Sequence, residues 1–296
     1  MRVGFIGLGA MGLPMARRVQ DAGHDLCTTL HRNQSAADTL VEHGARVVAT
    51  PADVARDSDV IITVLPADKE LKATVLGPGG VIEGLDRGQT LIDMTTATAF
   101  TMQDVAEQVA AAGADVLDAP VSGGTTAAAS GHLTIMVGGD EAVLERHRAL
   151  LQSMGTTILH VGGVGQGKVV KIVNQAMAAI HLLAIGEAFA LGVESGAEAS
   201  TLYDVIKASS GYSKMMDLRL PGFLLAGEAT PGFRLDLMKK DVNLAVESGR
   251  AANVALPLTA VAAQLFAAAS AAGHGDEDFS SAAAFVAALS RVQLHG

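Results

Sequence analysis

Residues 2–23 read RVGFIGLGAMGLPMARRVQDAG, and the fold turns on how that stretch is parsed. Residues 2–6 are a short apolar run. The series Gly7-Leu8-Gly9-Ala10-Met11-Gly12 follows at once, and residues 11–22 carry a helical pattern that stops at Gly23. Strand, glycine turn and helix in direct succession meet the demands of a dinucleotide-binding βα unit. Gly7 permits the tight turn, Gly9 lets backbone approach a pyrophosphate, and Gly12 lets helix pack on strand. The helix N-terminus adds N–H donors and a partial positive charge. A GxGxxG alone is weak evidence. The strand before it and the helix after it favour dinucleotide binding over a merely structural glycine turn.

The alternation continues along the chain. Residues 25–30 read as a second strand, ending in His31-Arg32-Asn33. An NAD-type unit places Asp or Glu about 20 residues past the glycines, on the ribose 2′-OH. This chain offers Arg32 there and no acid, and a guanidinium can pair with a 2′-phosphate. Further strands are expected at 46–49, 60–65, 90–94 and 115–118, with helical patterns at 36–43, 51–56, 68–76 and 101–112. Ligands bind at strand C-termini in open parallel sheets. Leu65-Pro66 and Thr95-Thr96 are therefore candidates for the cofactor edge. DAPVSGG (residues 118–124) sets a hydroxyl and successive backbone N–H groups in one turn, suited to a carboxylate. It also reads as an ordinary glycine loop. Strands at 133–137 and 157–160 flank a helical stretch at 140–154.

GGVGQGKVVKIVNQ (residues 162–175) opens the second half. Its spaced glycines lead into a Pro-free apolar run to about residue 190, which reads as one helix. Lys171, Asn174 and Gln175 stand at i, i+3 and i+4 and share a face, with Lys171 as its lone cation. A buried lysine must pair or lose its charge, and either outcome serves proton transfer. A lysine snorkelling from a core helix is the plainer reading. Beyond Gly167 the strands vanish and Ala-rich helical runs take over. The expected fold is α/β: an N-terminal Rossmann-type doubly wound sheet over 1–163, joined by a long helix to an all-α domain over 164–296. FRLDLMKKD (residues 233–241) concentrates charge in a helical pattern and, by itself, reads as a solvated face.

Composition narrows the function classes. The chain has 296 residues, 49% hydrophobic, with mean hydropathy +0.35, so a large core is available. Aromatics are 3% and Trp is absent, so Ala, Val, Leu, Ile and Met must build it. A net charge of −10 argues against nucleic acid or an anionic membrane as partner. The single cysteine, Cys27, falls in an apparent strand and reads as a packed thiol in a reducing compartment. With no signal-peptide pattern at residues 1–12, a cytoplasmic location is expected. Residues 253–273 carry no charge and invite a membrane-span reading, but Pro257, Gln264 and the alanines favour a buried helix. The nine histidines are scattered without metal-ligand spacing, so no metal is expected.

Four blocks stand in one order: GLGAMGLPM, DAPVSGG, GxGxxxKxxNQ and FRLDLMKKD. On these the chain resembles the β-hydroxyacid dehydrogenase family, in particular the 3-hydroxyisobutyrate dehydrogenases and tartronate semialdehyde reductases, over essentially its whole length. Asp278-Phe279-Ser280-Ser281 looks more like the hydroxyisobutyrate branch. The resemblance implies an NAD(P)(H)-dependent oxidoreductase acting on a small carboxylate, with Lys171 as catalytic general acid/base. It implies substrate binding by Ser122, Gly123, Gly124 and Asn174. It implies cofactor contacts from Gly7, Leu8, Gly9, Ala10, Met11, Gly12, Leu65, Pro66, Thr96 and Lys240, and a homodimer or homotetramer. Gln175 stands where many members have a second Asn, Ala99 replaces a common Pro, and Arg32 replaces the acid of NAD-preferring members. Arg32 tilts the expectation to NADP(H). Other readings are a tartronate or succinate semialdehyde reductase, an imine reductase of the same architecture, or a non-catalytic cofactor-binding interaction protein. Imine reductases usually carry Asp or Tyr at the position of Lys171, and loss of the lysine would mark a dead enzyme.

Overall fold

The computed structural model describes residues 1–30, 33–226 and 231–294. Its contacts divide into two units, Met1–Lys171 and Ile172–Gly296, whereas the composition shift read from sequence falls at 163/164. The first unit contains β1 (Arg2–Ile6), β2 (Asp25–Thr29), β3 (Arg46–Val48), β4 (Val60–Thr63), β5 (Thr90–Asp93), β6 (Asp115–Asp118), β7 (Val121–Ser122), β8 (Thr134–Gly139) and β9 (Thr157–Gly162). Its helices are α1 (Gly12–Asp21), α2 (Gln34–Val41), α3 (Pro51–Arg56), α4 (Asp68–Leu76), α5 (Ala99–Ala111), α6 (Gly124–Ser130) and α7 (Glu141–Gln152). Helix α8 (Gln166–Glu194) starts at the end of this unit and continues into the second.

The sheet order is β3-β2-β1-β4-β5-β6-β8-β7, with β9 on β8. The first six strands are parallel, and the order reverses between β1 and β4, the switch point of a doubly wound sheet. Alternating residues feed the two faces. Val3, Phe5, Val60 and Ile62 pack with Met15 and Val19 of α1 and Leu144 of α7 on one face. Ile6 and Ile61 pack with Val54 of α3, Leu71 of α4 and Val105 of α5 on the other. Such two-sided burial is why these strands read as continuous apolar runs. Cys27 lies in β2, 1% exposed, and burial pushes its thiol up.

Two features differ from the sequence reading. β8 runs antiparallel to β6 and β7, which both lie along one side of it. Ala119-Pro120 interrupts that side, because proline lacks the ladder N–H, although its carbonyl still accepts from Met136 N at 3.0 Å. Residues 124–130, for which the sequence reading expects no helix, form α6.

The second unit holds the rest of α8 with α9 (Ala199–Lys207), α10 (Lys214–Arg219), α11 (Leu235–Ala251), α12 (Pro257–Ala269) and α13 (Ser281–Ala288). Phe189, Phe266, Leu220 and Val242 share a core with Ala179, Ala262, Ala282 and Ala283. Small residues substitute for bulk here. A Cβ on Gly186 would stand 2.7 Å from Ala283 O, so α8 and α13 approach more closely than any other residue would permit. Of residues 253–273 only Pro257–Ala269 form α12, too short at 13 residues to span a bilayer and followed by a turn in which Gly273 takes φ +106°. Its Leu258 and Val261 are exposed, so the helix is buried on one side only. Among the described residues α8 is the one helix long and apolar enough for a span by length and composition.

Candidate functional site

The glycine loop behaves residue by residue as the motif requires. Gly7 takes φ +104°, and a Cβ there would stand 2.2 Å from Val64 O at the end of β4. A Cβ on Gly12 would stand 1.8 Å from Gly7 O and 3.4 Å from the Phe5 ring of β1. Gly9 is exposed, and among the described residues a Cβ there would meet nothing within 4 Å. Two glycines are thus held by packing and the third leaves open space at the mouth of α1. That helix has no side-chain cap on its first turn; Leu13 N donates to Gly9 O at 3.0 Å and Pro14 has no N–H, so the helix start offers an anion chiefly its partial positive charge. The loop therefore fits the pyrophosphate of a dinucleotide. Leu8 is buried, while Ala10 and Met11 lie at the rim. Arg32 lies outside the described residues. Its neighbour Asn33 caps α2 by accepting from Ala36 N at 3.1 Å and donates to Leu8 O at 3.4 Å.

At the ends of β4 and β5 the chain is pinned by a buried polar network. Asp93 Oδ1 accepts from Thr63 Oγ1 at 2.6 Å and Thr95 Oγ1 at 2.7 Å. Thr95 Oγ1 in turn accepts from Leu65 N at 3.0 Å. Thr95 is therefore the anchor of the Thr95-Thr96 pair, and Thr96 is its half-buried neighbour. Leu65 Cδ2 lies 3.4 Å from the point where a Gly7 Cβ would be, and Pro66 is exposed beside it. The glycine loop, Leu65, Pro66 and Thr96 thus come to one edge, at the C-terminal ends of β1, β4 and β5.

Helix α8 starts against the same edge. Asp118, at the end of β6, accepts from Gly165 N at 2.8 Å and from Lys168 N at 2.9 Å. Its carboxylate meets the free donors and positive end of the helix. Burial pushes the Asp118 carboxyl up, against the opposing pull of the Lys168 charge and those two N–H groups. Close approach explains the glycine spacing before the helix. A Cβ on Gly167 would stand 2.5 Å from Met136 O and 2.6 Å from Asp118 O, and Gly165 takes φ +93°.

Lys168 is the residue the sequence reading passed over. Lys171 is buried, but it is not the lone cation of its stretch: Lys168 precedes it by three residues and is 0% exposed. Its ammonium donates to Asp93 Oδ2 at 2.5 Å, Asp93 O at 2.9 Å and Thr95 O at 2.8 Å. The signals were present as Lys168 in GKVVK, Asp93 at a strand end and Asp118 opening DAPVSGG.

The turn after Asp118 carries Ser122, Gly123 and Gly124. Ser122 pairs with Thr134 across β7 and β8 and is half-buried. Gly123 and Gly124 take φ +140° and +69° and lead into α6. A Cβ on Gly123 would also stand 2.6 Å from Ala127 Cβ, so packing as well as backbone requires glycine.

Asn174 and Lys240 belong to the second unit. Asn174, exposed, donates through Nδ2 to Gln175 Oε1 at 3.2 Å, and Gln175 Nε2 donates to the buried Asp241 Oδ2 at 2.7 Å. Lys240 Nζ lies 2.8 Å from Asp241 Oδ1 in an ion pair. Gln175 therefore orients the carboxylate beside Lys240. Among the described residues no three His, Cys, Asp or Glu side chains gather as metal ligands.

Comparison with known proteins places both halves of the chain among nucleotide-binding dehydrogenase domains. Residues 2–162 match the NAD binding domain of 6-phosphogluconate dehydrogenase, and residues 165–286 match the NAD-binding domain of NADP-dependent 3-hydroxyisobutyrate dehydrogenase. The chain is 39% identical to the 2-(hydroxymethyl)glutarate dehydrogenase of Eubacterium barkeri, over 95% of this chain and 93% of that one. It is 36% identical to the 2-hydroxy-3-oxopropionate reductase of Escherichia coli, over 100% and 99%. A solved 3-hydroxyisobutyrate dehydrogenase of Mycobacterium tuberculosis, determined with L-serine, superposes with TM-score 0.88 at 32% identity, over 98% and 99%.

Proposed function

Since this chain belongs to the β-hydroxyacid dehydrogenase family, we propose that it interconverts a small 3-hydroxy acid and its semialdehyde with NAD(P)(H), Lys171 acting as general acid/base. One observation carries the reading. Lys171 is buried on the first turns of α8, and that helix is fastened by Asp118 and Lys168 to the strand edge where the glycine loop, Leu65 and Thr96 gather. The relatives' names share one chemistry. Hydroxymethylglutarate and 3-hydroxyisobutyrate carry a CH2OH on the carbon that bears the carboxylate, and 2-hydroxy-3-oxopropionate carries an aldehyde at the same place.

In this reading Gly7, Leu8, Gly9, Ala10, Met11 and Gly12 hold the pyrophosphate. Arg32 takes a 2′-phosphate, making NADP(H) the preferred cofactor. Leu65, Pro66, Thr96 and Lys240 complete the cofactor contacts. The nicotinamide supplies hydride acceptance in one direction and donation in the other. The turn at Ser122, Gly123 and Gly124 receives the substrate carboxylate, with Asn174 as a further polar contact. In oxidation Lys171, neutral at that moment, removes the hydroxyl proton as the carbonyl forms. In reduction its ammonium gives that proton to the developing alkoxide. Positioning and proton transfer are the chain's own share of the rate.

The test is NAD(P)H absorbance change with a panel of 3-hydroxy acids, semialdehydes and imines. Turnover of 3-hydroxy acids or their semialdehydes is expected. Turnover confined to imines, or none across the panel with cofactor bound, would overturn the reading.

A further inference from the structure

Four methylenes and an ammonium at zero exposure make Lys168 an unusual occupant of a helix start. An ammonium has three N–H groups, and the three acceptors around it are Asp93 Oδ2, Asp93 O and Thr95 O. Two of these are backbone carbonyls, one at the last residue of β5 and one two residues beyond it. The carboxylate of Asp93 continues the chain of bonds through Thr63 and Thr95 to the Leu65 amide at the end of β4. Lys168 is gripped at its other end as well, its own N–H donating to Asp118 at the end of β6. One residue thus joins three strand ends to the first turn of α8.

Stability alone does not account for such a pair. Well-packed apolar residues of the same volume are commonly as stabilising as a buried ion pair. A satisfied polar network differs in having one geometry, since each donor and acceptor must be met at once. Lys171 follows one turn later on the same helix, so whatever sets the position of that turn sets the position of Lys171.

We propose that Lys168 is a positioning residue, whose bonds to Asp93 and Thr95 hold the turn bearing Lys171 in register with the strand edge at Leu65 and Thr96. The proposal rests on the reading of Lys171 as general acid/base and of that edge as the cofactor's seat. Without Lys168 the helix start keeps its hold on Asp118 but loses its link to β4 and β5. A misplacement of about 1 Å costs on the order of 100-fold in rate.

The full chain serves for the test. Lys168→Met/Asp93→Asn removes both charges and keeps an amide oxygen for the Thr63 and Thr95 hydroxyls. Lys168→Gln, which retains two donors and leaves Asp93 untouched, carries the test should the double variant fail to fold. Hydrogen exchange is read without ligand, NAD(P)H affinity from cofactor fluorescence, and turnover as kcat and KM. The expected result is faster exchange confined to residues 64–66, 94–96 and 166–170, cofactor affinity within about threefold of wild type, and kcat lower by roughly 10–100-fold at little-changed KM. The Gln variant, which leaves Asp93 charged, should show the same confined exchange and a lowered kcat. Unchanged exchange in those segments overturns the proposal, as does wild-type kcat, or exchange raised evenly throughout the chain. Lys171→Ala run in parallel separates the two readings. Wild-type turnover in that variant removes the role of Lys171, while the exchange pattern still decides whether Lys168 ties the helix to the strand ends.

Discussion

Lys168 Nζ lies 2.5 Å from Asp93 Oδ2 with both side chains wholly excluded from solvent. Breaking such a pair on one side strands a buried charge. Lys168→Met alone should cost about 3–5 kcal/mol of unfolding free energy. Lys168→Met/Asp93→Asn should recover most of that loss, since no orphaned charge remains. Denaturant midpoints at constant slope check the comparison, and a double variant no more stable than the single one would show that the ion pair is not the source of the cost.

Lys171→Ala should lower kcat by about 10²–10⁴-fold, the usual contribution of a general acid/base, while NAD(P)H affinity stays close to wild type. Turnover and cofactor fluorescence measure the two separately. Near-wild-type turnover across the pH range would exclude proton transfer by this residue.

Ser122→Ala should raise KM for a carboxylate substrate and leave cofactor affinity unchanged. A hydrogen bond to a charged group is worth roughly 1.5–3 kcal/mol, or about one to two decades in KM. The opposite pattern, with affinity lost for the cofactor and KM unmoved, would take Ser122 out of the substrate site.

Arg32→Ala should narrow or reverse a preference for NADP(H) over NAD(H), by about one to two decades in the ratio of kcat/KM for the two cofactors. Steady-state kinetics with both cofactors, in wild type and variant, decide it. A wild type that already favours NAD(H), or a ratio that the mutation leaves alone, would mean that Arg32 does not select.

His147 on α7 is buried, with Nε2 2.9 Å from Thr90 Oγ1, and burial holds its pKa below the ordinary 6.5. Below that pH the unfolded chain takes up a proton that the folded chain refuses. The stabilisation from keeping this ring neutral is therefore complete above pH 6.5 and is lost as pH falls toward and through the folded value. The loss is steepest at about 1.4 kcal/mol per pH unit for one proton. Stability measured from about pH 8 to about pH 5 should fall more for wild type than for His147→Gln. Parallel curves would remove His147 as the source.

Apart from β7 and α6, the order of strands and helices in the first unit was legible in the amino-acid order alone, as were the glycine turn after β1 and the replacement of strands by helices after residue 167. Each of these depends on local periodicity or on backbone geometry that only glycine reaches. Gly7, Gly9 and Gly12 could be read in advance because turn, ligand clearance and helix contact are all settled within six residues. The antiparallel placement of β8 was not legible, since periodicity carries no strand direction. Nor was the function of Lys168. A lysine in an apolar helix reads as snorkelling until its acceptors are known, and Asp93 and Thr95 lie 75 and 73 residues away. The same holds for Gln175, whose partner Asp241 is 66 residues distant. Only the tertiary structure brings such groups within hydrogen-bond distance, and burial then converts a sequence of scattered charges into a network with one geometry.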